Sequence, residues 1–350
     1  MTVGASHPFV SVVVPVRNDA RHIEGCVRQL LEQTYPRDRL EILVVDGMSD
    51  DGTRQAVEGV QAAQHGGSGQ LAPAIRVLDN PGRQRPSAMN VGIRAARGEV
   101  IARVDARTVL PRDYLERCVR ALRESGADNV GGVQRALASG TAQEAIGLAM
   151  SHPFGAGNAQ FRLAKRSGYV DTVYLGCFKR EVFDRVGMFD EESPLLSEDS
   201  DINQRIRESG GRVYLDAGTV VGYYPRERLG ELWRLYFRYG GARAGNLLKH
   251  GNLTSWRQVV PAAFVATLVV LALLSVVSRW ALAGLGAVLG LYLACDAAVA
   301  ASVCLGSRKW ALWPWLAAAF PCMHFAWAAG FFRRLCDRRA GRASWAWTER

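Results

Sequence analysis

Short apolar runs alternate with amphipathic segments over the first hundred residues. Four runs, Phe9 to Val14, Leu40 to Val45, Ile75 to Leu78 and Val100 to Val104, read as strands, and the β-branched content of the first is typical of a strand covered on both faces. Helical periodicity follows the first run, with apolar residues spaced i, i+3, i+4, i+7 and i+8 at Ile23, Cys26, Val27, Leu30 and Leu31. Strands that alternate with helices in this way predict parallel pairing and an α/β fold.

Each predicted strand ends in polar or turn-forming residues, namely Pro15 with Asn18 and Asp19, then Asp46, Asp79 and Asp105. In an open parallel sheet, ligands bind beyond the carboxyl ends of the strands. A single aspartate at such a position is equally consistent with a helix cap or a turn. Three aspartates on consecutive strands favour a nucleotide site. In such a site we expect Asp105 to hold Mg²⁺ or Mn²⁺ together with substrate phosphates.

The next part of the chain is less periodic. We expect a helix from Pro111 to Glu124, a strand from Asp128 to Gln134 and a short helix from Arg180 to Val186. An acidic run that includes Glu198 and Asp199 then opens another helix, for which Ser197 is the expected N-cap. Acidic side chains in a first turn also suit the helix dipole without any function.

Composition divides the chain into two unlike parts. The formal charge is +10, from 43 Lys+Arg and 33 Asp+Glu, while residues 259–332 are overwhelmingly apolar. The apolar segment makes membrane lipid a better partner for the positive charge than nucleic acid, for which the chain has no aromatic-rich basic motif. The seven cysteines show no C-x-x-C pairing, and there is no signal-peptide pattern, so we expect reduced thiols in the cytoplasm.

The apolar part predicts membrane helices. Residues 227–250 form a basic, aromatic amphipathic stretch that suits an interfacial helix, although it could instead pack on the domain. Val259 to Ser278, Ala281 to Leu305 and Trp310 to Phe332 are each long enough to span a bilayer. Three spans conflict with the basic C-terminal tail, which belongs inside by the positive-inside rule, and a re-entrant third segment would resolve the conflict.

Taken together, several motifs resemble the inverting family 2 glycosyltransferases of the GT-A fold. The motifs are V-V-V-P-V-R-N-D, V-V-D-G-M-S-D-D-G-T, A-M-N-V-G-I-R-A-A-R-G-E, R-V-D-A-R and S-E-D-S-D-I-N-Q-R-I-R. More narrowly, Y-L-G-C-F-K-R-E-V-F-D-R-V-G-M-F-D and W-R-L-Y-F-R-Y-G-G-A-R resemble membrane glycosyltransferases of succinoglycan-type exopolysaccharide synthesis. The similarity extends over residues 9 to about 250.

The resemblance implies roles for particular residues. Asp199 is the implied catalytic base, assisted by Glu198, and Asp105 stands at the metal-binding D-x-D motif. The implied donor pocket comprises Pro15, Arg17, Asn18, Asp46, Asp79, Arg83, Asn90 and Asp105. Residues expected on the acceptor or diphosphate side are Arg107, Gly176, Cys177, Arg205 and Arg238.

One position departs from the motif. Arg107 occupies the usual second acidic position of D-x-D, and an arginine does not bind a cation. It could contact the diphosphate instead. Mg²⁺ or Mn²⁺ therefore remains the expected cofactor, with Asp105 as its one predicted protein ligand.

The resemblance also implies an architecture and a reaction. We expect a cytoplasmic GT-A domain at residues 1–225, an amphipathic interfacial helix at 226–257, two to three transmembrane helices at 258–333 and a basic tail at 334–350. The expected reaction moves a sugar from a nucleotide-diphosphate sugar to a lipid-linked saccharide at the inner membrane. A polyprenyl-phosphate sugar synthase and a non-catalytic membrane scaffold are the alternatives. A processive synthase is disfavoured because the chain lacks Q-x-x-R-W.

Overall fold

A computed structural model describes residues 7–65, 73–157, 159–191, 198–251 and 259–339. The described chain groups into two compact units. The first contains residues up to 135 together with 164–191 and 198–223, and the second contains 136–163 and the residues from 224 onward.

The first unit is built on a mixed sheet. Its strands are β1 (Val10–Val16), β2 (Leu40–Asp46), β3 (Ala74–Asp79), β4 (Val100–Arg103), β5 (Thr108–Val109), β6 (Asn129–Ala136), β7 (Gly168–Tyr169), β8 (Tyr174–Lys179) and β9 (Val213–Tyr223). The strand order is β3-β2-β1-β4-β8-β6-β9-β5, and β7 pairs with β9. The four strands predicted from the sequence are confirmed, and they pair in parallel.

The strand predicted from Asp128 to Gln134 is confirmed as most of β6, but the antiparallel pairing of this half of the sheet was not predicted. Strand β8 pairs antiparallel with β4 on one side and with β6 on the other. Ala102 of β4 lies opposite Cys177 of β8. The end of β4 is therefore enclosed between the parallel strand β1 and an antiparallel strand that comes much later in the chain.

Helices cover this sheet. They are α1 (Ala20–Leu31), α2 (Thr53–His65), α3 (Arg85–Ala95), α4 (Tyr114–Ser125), α8 (Glu181–Val186) and α9 (Glu198–Glu208), and a 3-10 turn spans Arg37–Arg39. The predicted apolar face of α1 is buried at Ile23, Cys26, Val27 and Leu30. These side chains join strand residues such as Val12, Val14, Ile42 and Val44 in the main core.

The second unit is helical. Its members are α5 (Thr141–Met150), α6 (Pro153–Ala156), α7 (Gln160–Leu163), α10 (Leu229–His250), α11 (Val260–Leu274), α12 (Arg279–Ser307) and α13 (Trp313–Arg339). Its core combines residues of α5, α10, α12 and α13, among them Ile146, Leu232, Ala300 and Phe320.

Helices α10 and α13 pack together at two glycines. A Cβ atom at Gly240 would collide with the Trp327 carbonyl oxygen, and one at Gly330 would collide with the Phe237 carbonyl oxygen. Only glycine at these two positions allows the backbones to approach this closely.

Two described helical segments are long and apolar enough to cross a membrane, Arg279–Ser307 and Trp310–Asp337. Only 17% of the most apolar window of the first is buried, which is unlike a core helix of a soluble protein. The predicted span from Val259 to Ser278 is instead the 15-residue helix α11, below the usual spanning length. The third segment is not broken at Pro321, because α13 runs through this proline as one helix, and its re-entrant path stays a prediction.

Candidate active site

The candidate active site centres on a buried arginine, Arg103, whose side chain is 2% exposed. Its Nε donates to Asp105 Oδ1 at 3.0 Å, and one terminal nitrogen donates to Asp105 Oδ2 at 3.3 Å. The other terminal nitrogen donates to Asp199, and the guanidinium also pairs with Glu198 Oε1 at 3.4 Å. Three carboxylates from two separate segments therefore share one cation.

Strand geometry explains how Asp105 reaches this cluster. Side chains alternate between the two faces of a strand, so Ile101, Arg103 and Asp105 point to the same side. The carbonyl oxygen of Asp105 accepts from Thr108 N at 3.1 Å and from Thr108 Oγ1 at 2.7 Å. This turn fixes the backbone of Asp105 directly beyond the end of β4.

The other two carboxylates open helix α9. Glu198 and Asp199 lie in its first turn, where the helix dipole favours negative charge. The Glu198 side chain is 4% exposed and accepts from Arg85 at 3.2 Å. Ser197, the predicted N-cap, lies outside the described residues.

The cluster gives its carboxyl groups opposite tendencies to ionise. Burial raises the pKa of Asp199 to about 7 against the opposing effect of Arg103, and the charges of Glu198 and Asp105 add to the rise. Burial also opposes ionisation of Asp105, but Arg103 and Arg85 hold the pKa of Asp105 below its ordinary value. At neutral pH, Asp199 is thus poised to exchange a proton while Asp105 stays ionised.

A second polar group lies at the ends of β2 and β3. Asp46 is buried and accepts from Ser49 Oγ at 2.5 Å. Arg54 of α2 pairs with Asp79, and its Nε lies 4.0 Å from Asp46 Oδ2. Two of the strand-end carboxylates predicted from the sequence, Asp46 and Asp79, therefore lie beside one arginine, Arg54, that the sequence did not single out.

The turn after β1 is fastened to the loop after β2. Asn18 has a positive φ of 50°, its backbone N–H donates to Ser49 Oγ at 2.9 Å, and its side-chain oxygen accepts from Asp50 N at 3.1 Å. Arg17 precedes this turn, and its Nε is buried without a hydrogen-bond partner. Pro15, still within β1, pairs with Val45 of β2.

Asn90 is engaged by the chain itself. It is 2% exposed, and its side-chain amide donates to the Phe189 carbonyl at 2.8 Å and to Glu191 Oε1 at 2.6 Å. Its side-chain oxygen accepts from Phe189 N at 2.9 Å. The residue therefore anchors the segment that leads toward α9, and its predicted contact with the donor stays a prediction.

Arg107 and Arg83 lie near the same edge of the sheet. Arg107 Nε donates to Asp19 Oδ2 at 2.7 Å, and the other oxygen of Asp19 contacts His22 Nδ1 at 2.5 Å. Arg83 is an exposed turn residue with a φ of 55°. The predicted contact of Arg107 with a diphosphate stays a prediction.

Gly176 and Cys177 lie on β8, the antiparallel neighbour of β4 in the sheet. Gly176 has a φ of 106°, and a Cβ atom there would lie 2.6 Å from the Phe178 ring, so only glycine fits. Cys177 is fully buried. A hydrogen bond with Cys118 and burial raise the pKa of the Cys177 thiol, which makes it an unreactive core residue.

The remaining two predicted residues lie elsewhere. Arg205 of α9 donates to Asp201 at 2.9 Å and to the carbonyls of Val186 and Met188 at 2.6 and 2.9 Å, so it fastens the end of α8. Arg238 lies on α10 in the second unit. The role of both in acceptor or diphosphate binding stays a prediction.

A metal ion bound at this site would have few protein ligands. Within the described ranges, no group of three or more His, Cys, Asp or Glu side chains is arranged to hold a metal ion. The Asp105 side chain is 24% exposed and ionised, and one or two carboxylates suffice for Mg²⁺ when phosphates supply the remaining oxygens. The residues therefore fit a cation that binds together with a diphosphate.

Sequence reasoning missed Arg103, Arg85 and Arg54 as members of these clusters. For Arg103 a signal exists, because a charged residue two positions before Asp105 in an otherwise apolar strand must share its face. For Arg85 and Arg54 the partners are distant in sequence, and no local pattern marks them.

Comparisons of the sequence and the fold with known proteins identify the family. The model of the glycosyl transferase family 2 domain matches residues 11–187. Among solved structures, the mannosyltransferase PcManGT from Pyrobaculum calidifontis, in complex with GDP-Man and Mn²⁺, is similar with a TM-score of 0.61 and 23% identity, covering 91% of this chain and 88% of that one. This likeness supports the GT-A fold.

Similarity to one relative extends over almost the whole chain. The succinoglycan biosynthesis protein ExoA of Rhizobium meliloti is 32% identical over 94% of this chain and 95% of its own. The glycosyltransferase AglE of Haloferax volcanii is 30% identical over 67% and 72% of the two chains. A third relative is the dolichyl N-acetyl-alpha-D-glucosaminyl phosphate 3-beta-D-2,3-diacetamido-2,3-dideoxy-beta-D-glucuronosyltransferase of Methanococcus voltae, 23% identical over 69% and 75%. The family model, the similar sequences and the fold agree. The chain therefore belongs to the family 2 glycosyltransferases.

Proposed function

We propose that this enzyme transfers a sugar from a nucleotide-diphosphate sugar to a lipid-linked saccharide, with inversion at the anomeric carbon. The observation that carries the proposal is the cluster of Asp105, Glu198 and Asp199 around Arg103, beyond the end of a parallel strand. The cluster combines a carboxylate that stays ionised with one that exchanges a proton near neutral pH.

In the proposed reaction, Asp199 is the general base. It accepts the proton of the acceptor hydroxyl while the acceptor oxygen bonds to the anomeric carbon and the bond from that carbon to the diphosphate breaks. Glu198 assists by keeping the Arg103 and Arg85 guanidiniums beside the base. The leaving group is the nucleoside diphosphate.

Asp105 is the proposed protein ligand of Mg²⁺ or Mn²⁺, and a cation held there would supply positive charge to offset the charge that develops on the leaving diphosphate. The similar mannosyltransferase PcManGT, in complex with GDP-Man and Mn²⁺, supports this choice of cation. The proposed donor pocket is the adjoining sheet edge, formed by Pro15, Arg17, Asn18, Asp46, Asp79 and Arg83.

The names of two relatives support the acceptor class. The Methanococcus voltae enzyme is named for a dolichyl phosphate that carries N-acetylglucosamine, and the Rhizobium meliloti protein is named for succinoglycan biosynthesis. We therefore propose a saccharide on a polyprenyl-type lipid as acceptor, in the synthesis of an exopolysaccharide or another cell-surface glycan.

The second unit is the proposed membrane attachment. If only Arg279–Ser307 and Trp310–Asp337 cross, the chain enters and leaves the bilayer on the same face. That face would be cytoplasmic, since it then also carries the basic C-terminal tail. An even number of crossings removes the conflict that three spans created.

The test is a transfer assay with membranes that contain the full-length enzyme. A panel of labelled nucleotide sugars is supplied with Mn²⁺, and the lipid fraction is extracted and treated with mild acid. We expect label in lipid-linked oligosaccharide from one donor, and loss of that label in Asp199→Asn. Asp113→Asn, which alters an ion pair with Arg117 on α4, is the matched control and should keep its activity.

Other outcomes have definite meanings. Label in a polyprenyl-phosphate monosaccharide would assign the enzyme to the polyprenyl-phosphate sugar synthases instead. Near-normal transfer by Asp199→Asn would refute the base assignment.

A further inference from the structure

We infer that Arg103 is a positioning residue that couples the two sides of the reaction, holding the base Asp199 and competing with the divalent cation for Asp105. The inference rests on the proposed roles of Asp105 and Asp199. Arg103 itself touches neither substrate in this scheme. It acts through the carboxylates that it binds.

The contact pattern needs a guanidinium. Arg103 uses Nε and one terminal nitrogen for the two oxygens of Asp105, and the other terminal nitrogen for Asp199. Arginine presents five N–H donors in a rigid plane, whereas the ammonium of lysine is a single point of charge with three donors. A lysine at this buried position could neutralise charge but could not hold both carboxylates in one orientation.

Charge balance gives the coupling its direction. The cluster contains three carboxylates, Asp105, Glu198 and Asp199, and two guanidiniums, Arg103 and Arg85. Because Arg103 binds both oxygens of Asp105, an incoming cation must share this carboxylate with a positive charge. Removing Arg103 should therefore strengthen cation binding at Asp105, while it releases Asp199 from its position.

A purely structural arginine would behave differently. If Arg103 only stabilised the fold, its loss would loosen the end of β4 and weaken cation binding together with turnover. The opposite signs of the two effects, tighter cation binding and slower turnover, distinguish the two roles.

The experiment uses purified full-length protein in detergent. Mn²⁺ alone is titrated and the free ion is measured by electron paramagnetic resonance, and kcat and KM are measured in the transfer assay. The variants are Arg103→Met, Arg103→Lys and the double variant Arg103→Met with Asp105→Asn. Arg185→Met is the matched control, because Arg185 forms an ion pair at 2.8 Å with Asp128 outside the cluster.

We expect Arg103→Met to bind Mn²⁺ at least about threefold more tightly, since like-charge repulsion is removed, and to lose at least about 100-fold in kcat with little change in the acceptor KM, as expected for a misplaced base. The tighter binding should disappear when Asp105 is also replaced. Arg103→Lys should bind Mn²⁺ as the wild type does but turn over at least about tenfold more slowly, because the charge remains and the orientation is lost.

Several results would overturn the inference. These are a kcat within threefold of wild type in both Arg103 variants, or weaker Mn²⁺ binding in Arg103→Met with unchanged melting. If Arg103→Met does not fold, the kcat of Arg103→Lys tests the inference instead. It is compared with the kcat of Arg185→Lys as the matched control. Loss of activity in Asp199→Asn with normal activity in Arg103→Lys would refute the coupling and leave the proposed function intact. Normal activity in Asp199→Asn would refute the proposed function itself, while the Mn²⁺ titration would still test the contact with Asp105.

Discussion

Replacing Asn90 tests whether this residue binds the donor or anchors the chain segment before the base. The resemblance implies donor binding, whereas the structure directs its amide at Phe189 and Glu191. Asn90→Ala removes all three of these hydrogen bonds. It also leaves the backbone N–H of Phe189 without its partner in a buried position.

The expected cost follows from the kinds of bond that are lost. The two bonds with the Phe189 backbone are neutral, and each contributes about 1 kcal/mol to stability. The bond to Glu191 involves a charge, but Glu191 is exposed, so water can replace it at a small cost. We expect a loss of about 2–3 kcal/mol in the free energy of unfolding, or roughly 4–12 °C in the melting temperature of a unit of this size.

The assay combines thermal unfolding with steady-state kinetics of the full-length enzyme. We expect a lower melting temperature and a lower kcat, with the donor KM changed less than about threefold. Asn90→Asp is the paired variant, since it keeps the acceptor for Phe189 N but brings a second carboxylate against Glu191, and it should also be destabilised. An unchanged melting temperature with a raised donor KM in Asn90→Ala would refute the anchoring role and favour donor binding.

Three further predictions concern other parts of the molecule. First, kcat/KM should fall about tenfold per pH unit below pH 7 and level off above it, because Asp199 accepts a proton only when ionised and burial raises its pKa to about 7. Second, Gly330→Ala should lower the melting temperature, because its Cβ would collide with the Phe237 carbonyl oxygen. Third, Arg107→Gln should cost less than about 1 kcal/mol of stability, because the Arg107 side chain in its ion pair with Asp19 is 53% exposed.

Each of these has its own control. Any residual activity of Asp199→Asn should not fall below pH 7. A fall in kcat/KM that persists in this variant would assign the pH dependence to another group. Gly286→Ala is matched to Gly330→Ala, since its Cβ would meet open space, and it should be neutral or slightly stabilising as alanine is the better helix former. Equal melting shifts in the two glycine variants would contradict the close packing of α10 and α13. For Arg107→Gln, a change in melting temperature as large as that of Asn90→Ala would show that the ion pair with Asp19 stabilises the fold more than a surface ion pair does.

The sequence identified the parallel half of the fold because the signal there is local. Each strand is a compact apolar run, and the aspartate that ends it or follows it marks the edge of the sheet, so Asp46, Asp79 and Asp105 could be grouped from the sequence alone. The antiparallel half depends on pairing between distant segments. Nothing near Cys177 in the sequence indicates that its strand lies against Ala102.

The same division holds for the site. The carboxylates of the cluster belong to recognisable motifs. The sequence signal for Arg103 gives only the face of the strand, and its partners Glu198 and Asp199 become visible only in the structure. The length of the first predicted membrane span, from Val259 to Ser278, was also misjudged. Hydropathy alone does not mark the break at Ser275 that leaves α11 with 15 residues.

The grouping of residues 136–163 with the C-terminal helices bears on how the protein is prepared. Helix α5 lies well before residue 225 in the sequence. Its side chains Ala145, Ile146, Ala149 and Met150 are nevertheless buried among residues of α10, α12 and α13. A soluble version that ends after residue 225 would still contain α5 but would lack the helices that cover it. Such a fragment would expose an apolar surface and is expected to aggregate, so expression trials should retain the C-terminal helices or delete residues 136–163 with them.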